Sequence, residues 1–471
     1  MEQQGNDEKY DEDADRRLAR KLAWLTIPLL SVIQILGFID KFILNYGAVL
    51  GLFEDTHLTS QEFGLSGSFF FIGMFITQIS NQYFLQSCRI AKYFGAMSIC
   101  WGVAIGCTAL ASNFRQLAAL RFLVGFFQGS STVSTYVIIG MFFRRNEQIF
   151  WITLMMIFNF IGMAVSGLLG YTIGFMDGLA HLRAWKWLMI IFGPITSICG
   201  ILVFVFLPDT PRSRWLQLTE EEKELMNSRI RDNGTVKTDK VDFAQIREAL
   251  SDVRYYYYSL AFFFISMPVA CTTQFSSQLI KSMGFSNLNS VLMNVPIAIT
   301  TMLLVYLGLF LVQRFHQIYY TTMLLSLITL VGVFLLCVLP VGPIQLLGIF
   351  LSNPAPIAVI LEASVVNNVM GYTKRVFYLG TFMLCYTLGN VVGPIILGST
   401  SAYNHYYPAL VAFMAFLGIA CCLVLIIRRI SLGKNRKREE LEQHGQIPPP
   451  PDRREDLDWT DEMDLHFRYR L

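Results

Sequence analysis

Four ionisable side chains lie inside long apolar runs: Asp40, Lys41, Arg121 and Glu362. A charge at the centre of a lipid-crossing helix costs about 2.5–3.5 kcal/mol on insertion scales, so such residues survive where they face a polar interior or a partner. Removing a carboxylate from water is costly unless a paired cation replaces that water. Lys41 and Arg121 are therefore the candidate anion-binding residues. Asp40 and Glu362, which can take up and release a proton, are the candidate coupling residues. Each has a plainer reading. Arg121 belongs to the first turns of its run, from where a long side chain reaches back to the interface. Asp40 and Lys41 are adjacent and could form a local ion pair that orders their helix. Glu362 sits toward one end of its run, where a hydrated vestibule would keep it charged.

Spacing supplies further candidates. Arg121, Gly125, Gln128 and Thr132 follow steps of four, three and four, which predicts one polar stripe with a small residue at its middle. Gln274 and Gln278 are one turn apart and would either contact a ligand or glue helices together. Pro354, Ala358 and Glu362 recur at every fourth position, and Gly389-Asn390-Val391-Val392-Gly393-Pro394 is expected to interrupt its run. Close helix approach or bending is expected at Gly125, Pro354, Gly389, Gly393 and Pro394. No nucleophile, base and orienting group share a plausible arrangement, so an enzyme is not expected. The nine cysteines show no metal-ligand spacing, nearly all fall in apolar runs, and neither metal, cofactor nor disulfide framework is expected.

The elements that must position these residues are set by hydropathy. The 471 residues are 54% hydrophobic and 15% charged, with the charges crowded into the termini, a central stretch and short connectors. Between them lie apolar runs near the roughly 20 residues that a helix needs to cross hydrocarbon about 30 Å thick. Backbone polar groups in lipid must be bonded within the segment, so the fold class is an all-α membrane protein. Spans are expected near 24–52, 61–83, 93–112, 115–141, 148–174 and 185–207, then near 255–280, 289–312, 318–340, 343–369, 376–398 and 407–428. This divides the chain into an N-terminal tail (1–23), a six-helix bundle (24–207), a central loop (208–254), a second six-helix bundle (255–430) and a C-terminal tail (431–471).

Lys and Arg are retained on the cytoplasmic side of short loops. With the N-terminus inside, the inner segments hold Arg16, Arg17, Arg20, Lys21, Arg89, Lys92, Arg144, Arg145, Arg314, Lys374, Arg375, Arg428 and Arg429. The outer connectors hold Arg115, Arg183, Lys186 and Lys281. Both termini are thus expected in the cytosol. The net charge of +3 gives no case for nucleic-acid binding. The acidic N-terminus does not read as a cleaved signal peptide, and the sequon at Asn233, placed inside, is expected to stay unmodified. Thr219 and Glu222 have capping-box spacing and predict a short helix through about Arg231, serving as a tether between bundles or as a plain spacer. The basic run after Arg428 is expected to rest against anionic lipid, ahead of the prolines at 448–451 and an acidic end.

Several segments, in this order, resemble one family. They are Ile39-Asp40-Lys41-Phe42 through Asn45-Tyr46-Gly47; Trp101-Gly102; Arg121-Phe122-Leu123-Val124-Gly125; Phe143-Arg144-Arg145-Asn146-Glu147-Gln148; Leu207-Pro208-Asp209-Thr210-Pro211; Asn353-Pro354-Ala355-Pro356; and Gly371-Tyr372-Thr373-Lys374-Arg375. The Gly389 to Pro394 segment and the end, Asp458-Trp459-Thr460-Asp461 to Phe467-Arg468-Tyr469, continue the likeness. Together they resemble the fungal allantoate permease-like transporters, a branch of the anion:cation symporters in the major facilitator superfamily. The resemblance implies twelve helices in two halves and proton-coupled uptake of a small organic anion. Allantoate, ureidosuccinate, nicotinate, pantothenate and biotin, or small peptides and amino acids, are the implied substrates. It implies basic residues at Lys41 and Arg121, adds Asn45 to the substrate-binding set with Gln128, Gln274 and Gln278, and implies residence in the plasma membrane. Its partners would be the anion, protons and the lipid bilayer, with a monomer as the expected state. Gln128 departs from the pattern, which has an acidic residue there, and a glutamine does not titrate. Glu362 is an acidic residue that the pattern does not contain. The rival expectation is a nutrient sensor on the same fold that signals through its tails and transports nothing.

Overall fold

Long apolar segments have no water to satisfy their amides, and each becomes a helix. The computed structural model describes residues 2–210, 213, 216, 218–233, 242–400, 406–444 and 459–471. In chain order the helices are α1 (Glu2–Val49), α2 (Leu52–Thr56), α3 (Ser60–Ser87), α4 (Ile90–Thr108), α5 (Phe114–Gln128), α6 (Ser131–Phe142), α7 (Arg145–Gly174), α8 (Ala184–Phe206), α9 (Glu220–Asn233), α10 (Phe243–Ser251), α11 (Val253–Ser282), α12 (Asn287–Leu292), α13 (Asn294–Phe315), α14 (Ile318–Val338), α15 (Leu346–Leu351), α16 (Ala355–Asn368), α17 (Tyr372–Gly398) and α18 (Tyr407–Gln443). Among the described residues 12 stretches are long and apolar enough to cross a membrane. The chain is all-α, with six spans before the central loop and six after it. The sequon's Gly234 and Thr235 and the prolines at 448–451 lie outside the described residues.

Three boundaries differ from expectation for local reasons. The first span stops at Val49, because Gly51 takes a left-handed φ of 105° and starts the short helix α2. The fourth span is broken between Gln128 and Ser131. Side chains of α3 satisfy carbonyls at this break: Thr77 Oγ1 donates to Phe126 O at 2.5 Å, and Asn81 Nδ2 to Gly129 O at 3.3 Å. Conversely, the eleventh span is not interrupted, since α17 runs through Pro394 to Gly398. Pro394 withholds the donor that the Asn390 carbonyl would otherwise receive; separately, Ser68 of α3 donates its hydroxyl to the Val391 carbonyl at 2.6 Å. Gly393 instead permits close packing. A Cβ there would lie 2.1 Å from the Met267 carbonyl oxygen of α11, the close approach that small residues allow in membranes.

The chain forms two compact units, Met1–Gly47 with Gly73–Thr235, and Ala48–Ile72 with Val236–Leu471. In the first, α4 packs along α8, where a Cβ on Gly102 would lie 2.4 Å from the Ser197 nitrogen. In the second, α11 packs most extensively on α17 and α18.

Candidate functional site

Within the first unit, α1 and α5 bring Asp40 and Arg121 together, both almost wholly buried. Arg121 Nη1 lies 3.7 Å from Asp40 Oδ1. Trp101 of α4 donates its indole N–H to Asp40 Oδ2 at 3.0 Å. The remaining contact of the guanidinium is weak, Nη2 to Met189 Sδ at 3.6 Å. Asp40 Oδ1 and Arg121 Nε have no hydrogen-bond partner among the described residues. A buried polar group without a partner loses its full desolvation energy, so this pair is held short of its bonding capacity.

The expected alternatives resolve differently. Arg121 does not reach outward, and the carboxylate of Asp40 meets Arg121 rather than its neighbour Lys41. Lys41 is partly exposed, with Nζ 4.6 Å from the centre of the Phe38 ring. No carboxylate stands within ion-pairing distance of Lys41 among the described residues. Formally, this segment of the first unit holds two cations, Lys41 and Arg121, and one carboxylate, Asp40, which pairs with Arg121. Asn45 is fully buried one turn beyond Lys41. Gln128 donates to the Gly37 carbonyl at 2.7 Å, while its Oε1 has no partner among the described residues. Gly125 lies at the crossing of α5 with α3, where a Cβ on Gly73 would lie 2.2 Å from Phe122 O. Thr132 is exposed, because the helix break at Gly129 ends the stripe that begins at Arg121.

Two participants escaped the sequence reading. Trp101 donates to Asp40, and on α1, six residues before Asp40, the buried Gln34 donates to Thr135 Oγ1 at 2.9 Å. Gln34, Phe38, Lys41 and Asn45 follow the same four-three-four steps as Arg121 and its partners, and that periodicity was the available signal.

The second unit holds the other candidates. Gln274 is buried on α11 and donates to the Phe63 carbonyl of α3 at 2.6 Å, so its amide joins two helices. Gln278 Nε2 is buried without a partner among the described residues. Glu362, on α16, is partly exposed and forms no ion pair among the described residues. Pro354 precedes α16 at the break after α15. Gly389 packs against α11, where a Cβ would lie 1.9 Å from Ser266 Oγ.

Both units carry charged clusters at one end. In the first, Arg229 of α9 is fully buried and bonds Asp15 at 2.6 Å and Glu147 at 3.0 Å. Thr219 and Glu222 form the expected capping box, with Thr219 N donating to Glu222 Oε2 at 3.0 Å. Burial raises the Glu222 carboxyl, but the hydrogen bonds from Lys21 and the Thr219 amide prevail and lower it. In the second, Asp461 accepts from Arg254 at 2.7 Å, Lys374 at 2.6 Å and the Tyr469 hydroxyl at 2.7 Å. Burial raises the Asp461 carboxyl, but the two cations outweigh it and hold it at about 2. Lys374 also meets Glu248 of α10 at 2.8 Å, and Arg254 meets Asp252 at 2.5 Å. The basic run was expected on lipid. Within that run Lys434 pairs with Glu462 and Arg438 donates to the carbonyls of Asp461 and Phe467, while Arg436 and Lys437 are exposed.

Comparison with known proteins accords with this architecture. The chain is 28% identical over 467 residues to an uncharacterized transporter, C1773.15, of Schizosaccharomyces pombe, covering 98% of this chain and 93% of that one. It is 25% identical over 474 residues to the allantoate permease of Saccharomyces cerevisiae, covering 98% and 87%. Its fold is similar to that of a bacterial homologue of the human lysosomal transporter Spinster, with a TM-score of 0.69, 14% identity, and coverage of 87% of this chain and 97% of that one. Residues 30–373 match the model of the Major Facilitator Superfamily, and the chain belongs to that family of membrane transporters.

Proposed function

We propose that this protein imports a small organic anion with protons by alternating access, and that Lys41 and Arg121 bind the substrate carboxylate. The observation that carries the reading is the buried Asp40–Arg121 pair with Lys41 beside it in the chain, two cations to one carboxylate, with unfilled hydrogen-bonding capacity on Asp40 and Arg121. An anion entering such a site exchanges its water for fixed cations. That exchange is favourable only where pairing offsets the desolvation cost. The likeness to a permease named for allantoate supports a carboxylate as the substrate class.

Asp40 would couple the proton. While ionised, it is the counterion of Arg121 and competes with the substrate for it. Protonation in an acidic exterior weakens its hold on Arg121, whose donors then serve the incoming carboxylate. Loss of the proton to a more neutral cytosol restores the internal pair and favours release. Trp101 keeps the carboxyl aimed in both states, and Gln128, which does not titrate, contributes hydrogen bonds alone. Glu362 would be a second proton carrier, on α16. In this reading both termini, α9 and the charged clusters face the cytosol, and the plasma membrane is the host.

The test is uptake of labelled small carboxylates, allantoate and the vitamin acids included, into cells overexpressing the protein, at acidic and neutral external pH. One compound whose uptake rises in acid is the expected result. No uptake of any compound, with the protein at the cell surface, would overturn the reading. Lys41→Met should abolish uptake while leaving surface expression intact; unchanged uptake would remove Lys41 from the site.

A further inference from the structure

α16 is a short helix with a break at one end and a tie at the other. At the break, Asn353 Nδ2 donates to Thr301 Oγ1 of α13 at 2.9 Å, and its Oδ1 accepts from the Ala355 amide at 3.1 Å, which fixes the pivot beside Pro354. At the far end, Asn368 reads both backbone groups of one tail residue. Its Nδ2 donates to Arg470 O at 2.9 Å, and its Oδ1 accepts from Arg470 N at 2.7 Å. The neighbouring tail residue is read the same way by α18, where Asn435 exchanges two 2.9 Å bonds with the backbone of Tyr469. The Leu471 carbonyl then accepts from the Ile318 amide at the start of α14.

We propose that residues 459–471 form a strap that tethers the inner end of α16, so that the tail governs the mobility of the helix carrying Glu362. Three observations carry this. The strap is anchored independently of α16 through Asp461, which is clamped by Arg254 and Lys374. Its hold on α16 consists of the paired bonds to Asn368 and a 3.3 Å bond from Arg470 to Asn367. Among its large apolar side chains, Tyr469 is almost fully buried, Trp459, Leu465, Phe467 and Leu471 are partly exposed, and Met463 is exposed, so directional polar bonds supply the grip. Such bonds contribute about 1 kcal/mol each, and losing a few releases the segment.

Asn368 also connects the tether to the interior. It donates to the Tyr319 hydroxyl at 3.1 Å, and Tyr319 pairs with Tyr258, which pairs with Ser364 of α16 at 2.8 Å. A change in the strap therefore reaches the turn next to Glu362 through hydrogen bonds, without unfolding the unit.

The experiment is hydrogen exchange, followed by mass spectrometry, on the purified full-length protein and two variants. Deletion of residues 467–471 removes both asparagine pairs and keeps Asp461 clamped. Arg470→Pro removes the single N–H that Asn368 accepts from. The expected result is exchange about tenfold faster in the last two turns of α16 for the deletion, a smaller rise for Arg470→Pro, and no change in α17 or in α11 beyond its first turn, where Arg254 loses its contact with Tyr469. Unchanged protection of α16 in both variants would overturn the inference. So would equal losses in α11, α16 and α17, which would make the strap a fastener of the whole unit. Only the consequence for flux rests on the transporter reading, and exchange is read without substrate. Failure of every compound in the uptake panel, with α16 responding as stated, would sink the proposed function and support the strap.

Discussion

Arg121 and Arg254 are both almost fully buried arginines beside an aspartate, yet their surroundings differ. Arg254 donates to both oxygens of Asp252, to Asp461 and to the Tyr469 hydroxyl, and its guanidinium lies 4.2 Å from the centre of the Tyr469 ring. Arg121 has one carboxylate at 3.7 Å, one thioether, and an Nε without a partner among the described residues. Burial alone does not separate a structural charge from a functional one. Spare bonding capacity is what the proposed site adds, because an unfilled buried donor is costly and asks for an explanation, here a ligand.

The largest test of this contrast is stability. Asp461→Ala leaves Arg254 and Lys374 short of a counterion, and breaking a buried pair in this way costs about 3–5 kcal/mol. The melting temperature of the purified protein should fall sharply, whereas Arg121→Gln, which breaks one 3.7 Å pair and leaves Asp40 its bond from Trp101, should end uptake and lower the melt less. Equal losses of stability in the two variants would erase the distinction. Next in size is Asp40→Asn, which removes the titrating competitor for Arg121. Acid should no longer stimulate uptake in this variant, and retained acid stimulation would transfer the coupling role elsewhere, with Glu362 the first residue to examine.

A smaller effect is expected from Trp101→Phe, which deletes one bond to a charged group, worth about 1.5 kcal/mol or roughly tenfold in uptake. Its melt should barely change, and a collapse in stability instead would make Trp101 a structural residue. The smallest effect concerns pH at the second cluster. Asp461 is held at about 2, below the roughly 3.9 of an unfolded aspartate, so its stabilisation is complete above that value and is lost only as pH falls toward 2. Protection of the strap from hydrogen exchange, corrected for intrinsic rates, should therefore be the same at pH 6 and pH 8.

The strap also changes how the tail can be used to separate a transporter from a sensor. Removing everything after Lys437 would strip Arg254 and Lys374 of Asp461, so lost output would report instability as readily as lost signalling. Asn435 and Arg438 explain why even a cut placed within α18 fails.

Span positions were legible because hydropathy and the length needed to cross lipid act locally. Asp40 and Arg121 were legible for the same reason, as charges where lipid tolerates few. The partner of Arg254 was not. Asp461 is 207 residues away in the chain and sits in an acidic stretch with no periodicity to mark it. The break after Gln128 was equally hidden, since the groups that satisfy it, Thr77 and Asn81, belong to another helix. Pro394 misled in the other direction. A proline in a run reads as an interruption, yet α17 continues through Pro394 to Gly398, because a helix packed among neighbours tolerates the loss of one intrahelical donor.

The distance between Arg254 and Asp461 has a consequence for biosynthesis. At about 5–20 residues per second, roughly ten to forty seconds pass between translation of the arginine and translation of its distant counterion. During that interval Arg254 has Asp252 for company, and Lys374 has Glu248. Asp252 and Glu248 both precede Asp461 in the chain, so each cation has a nearby counterion encoded before the distant one that completes the cluster.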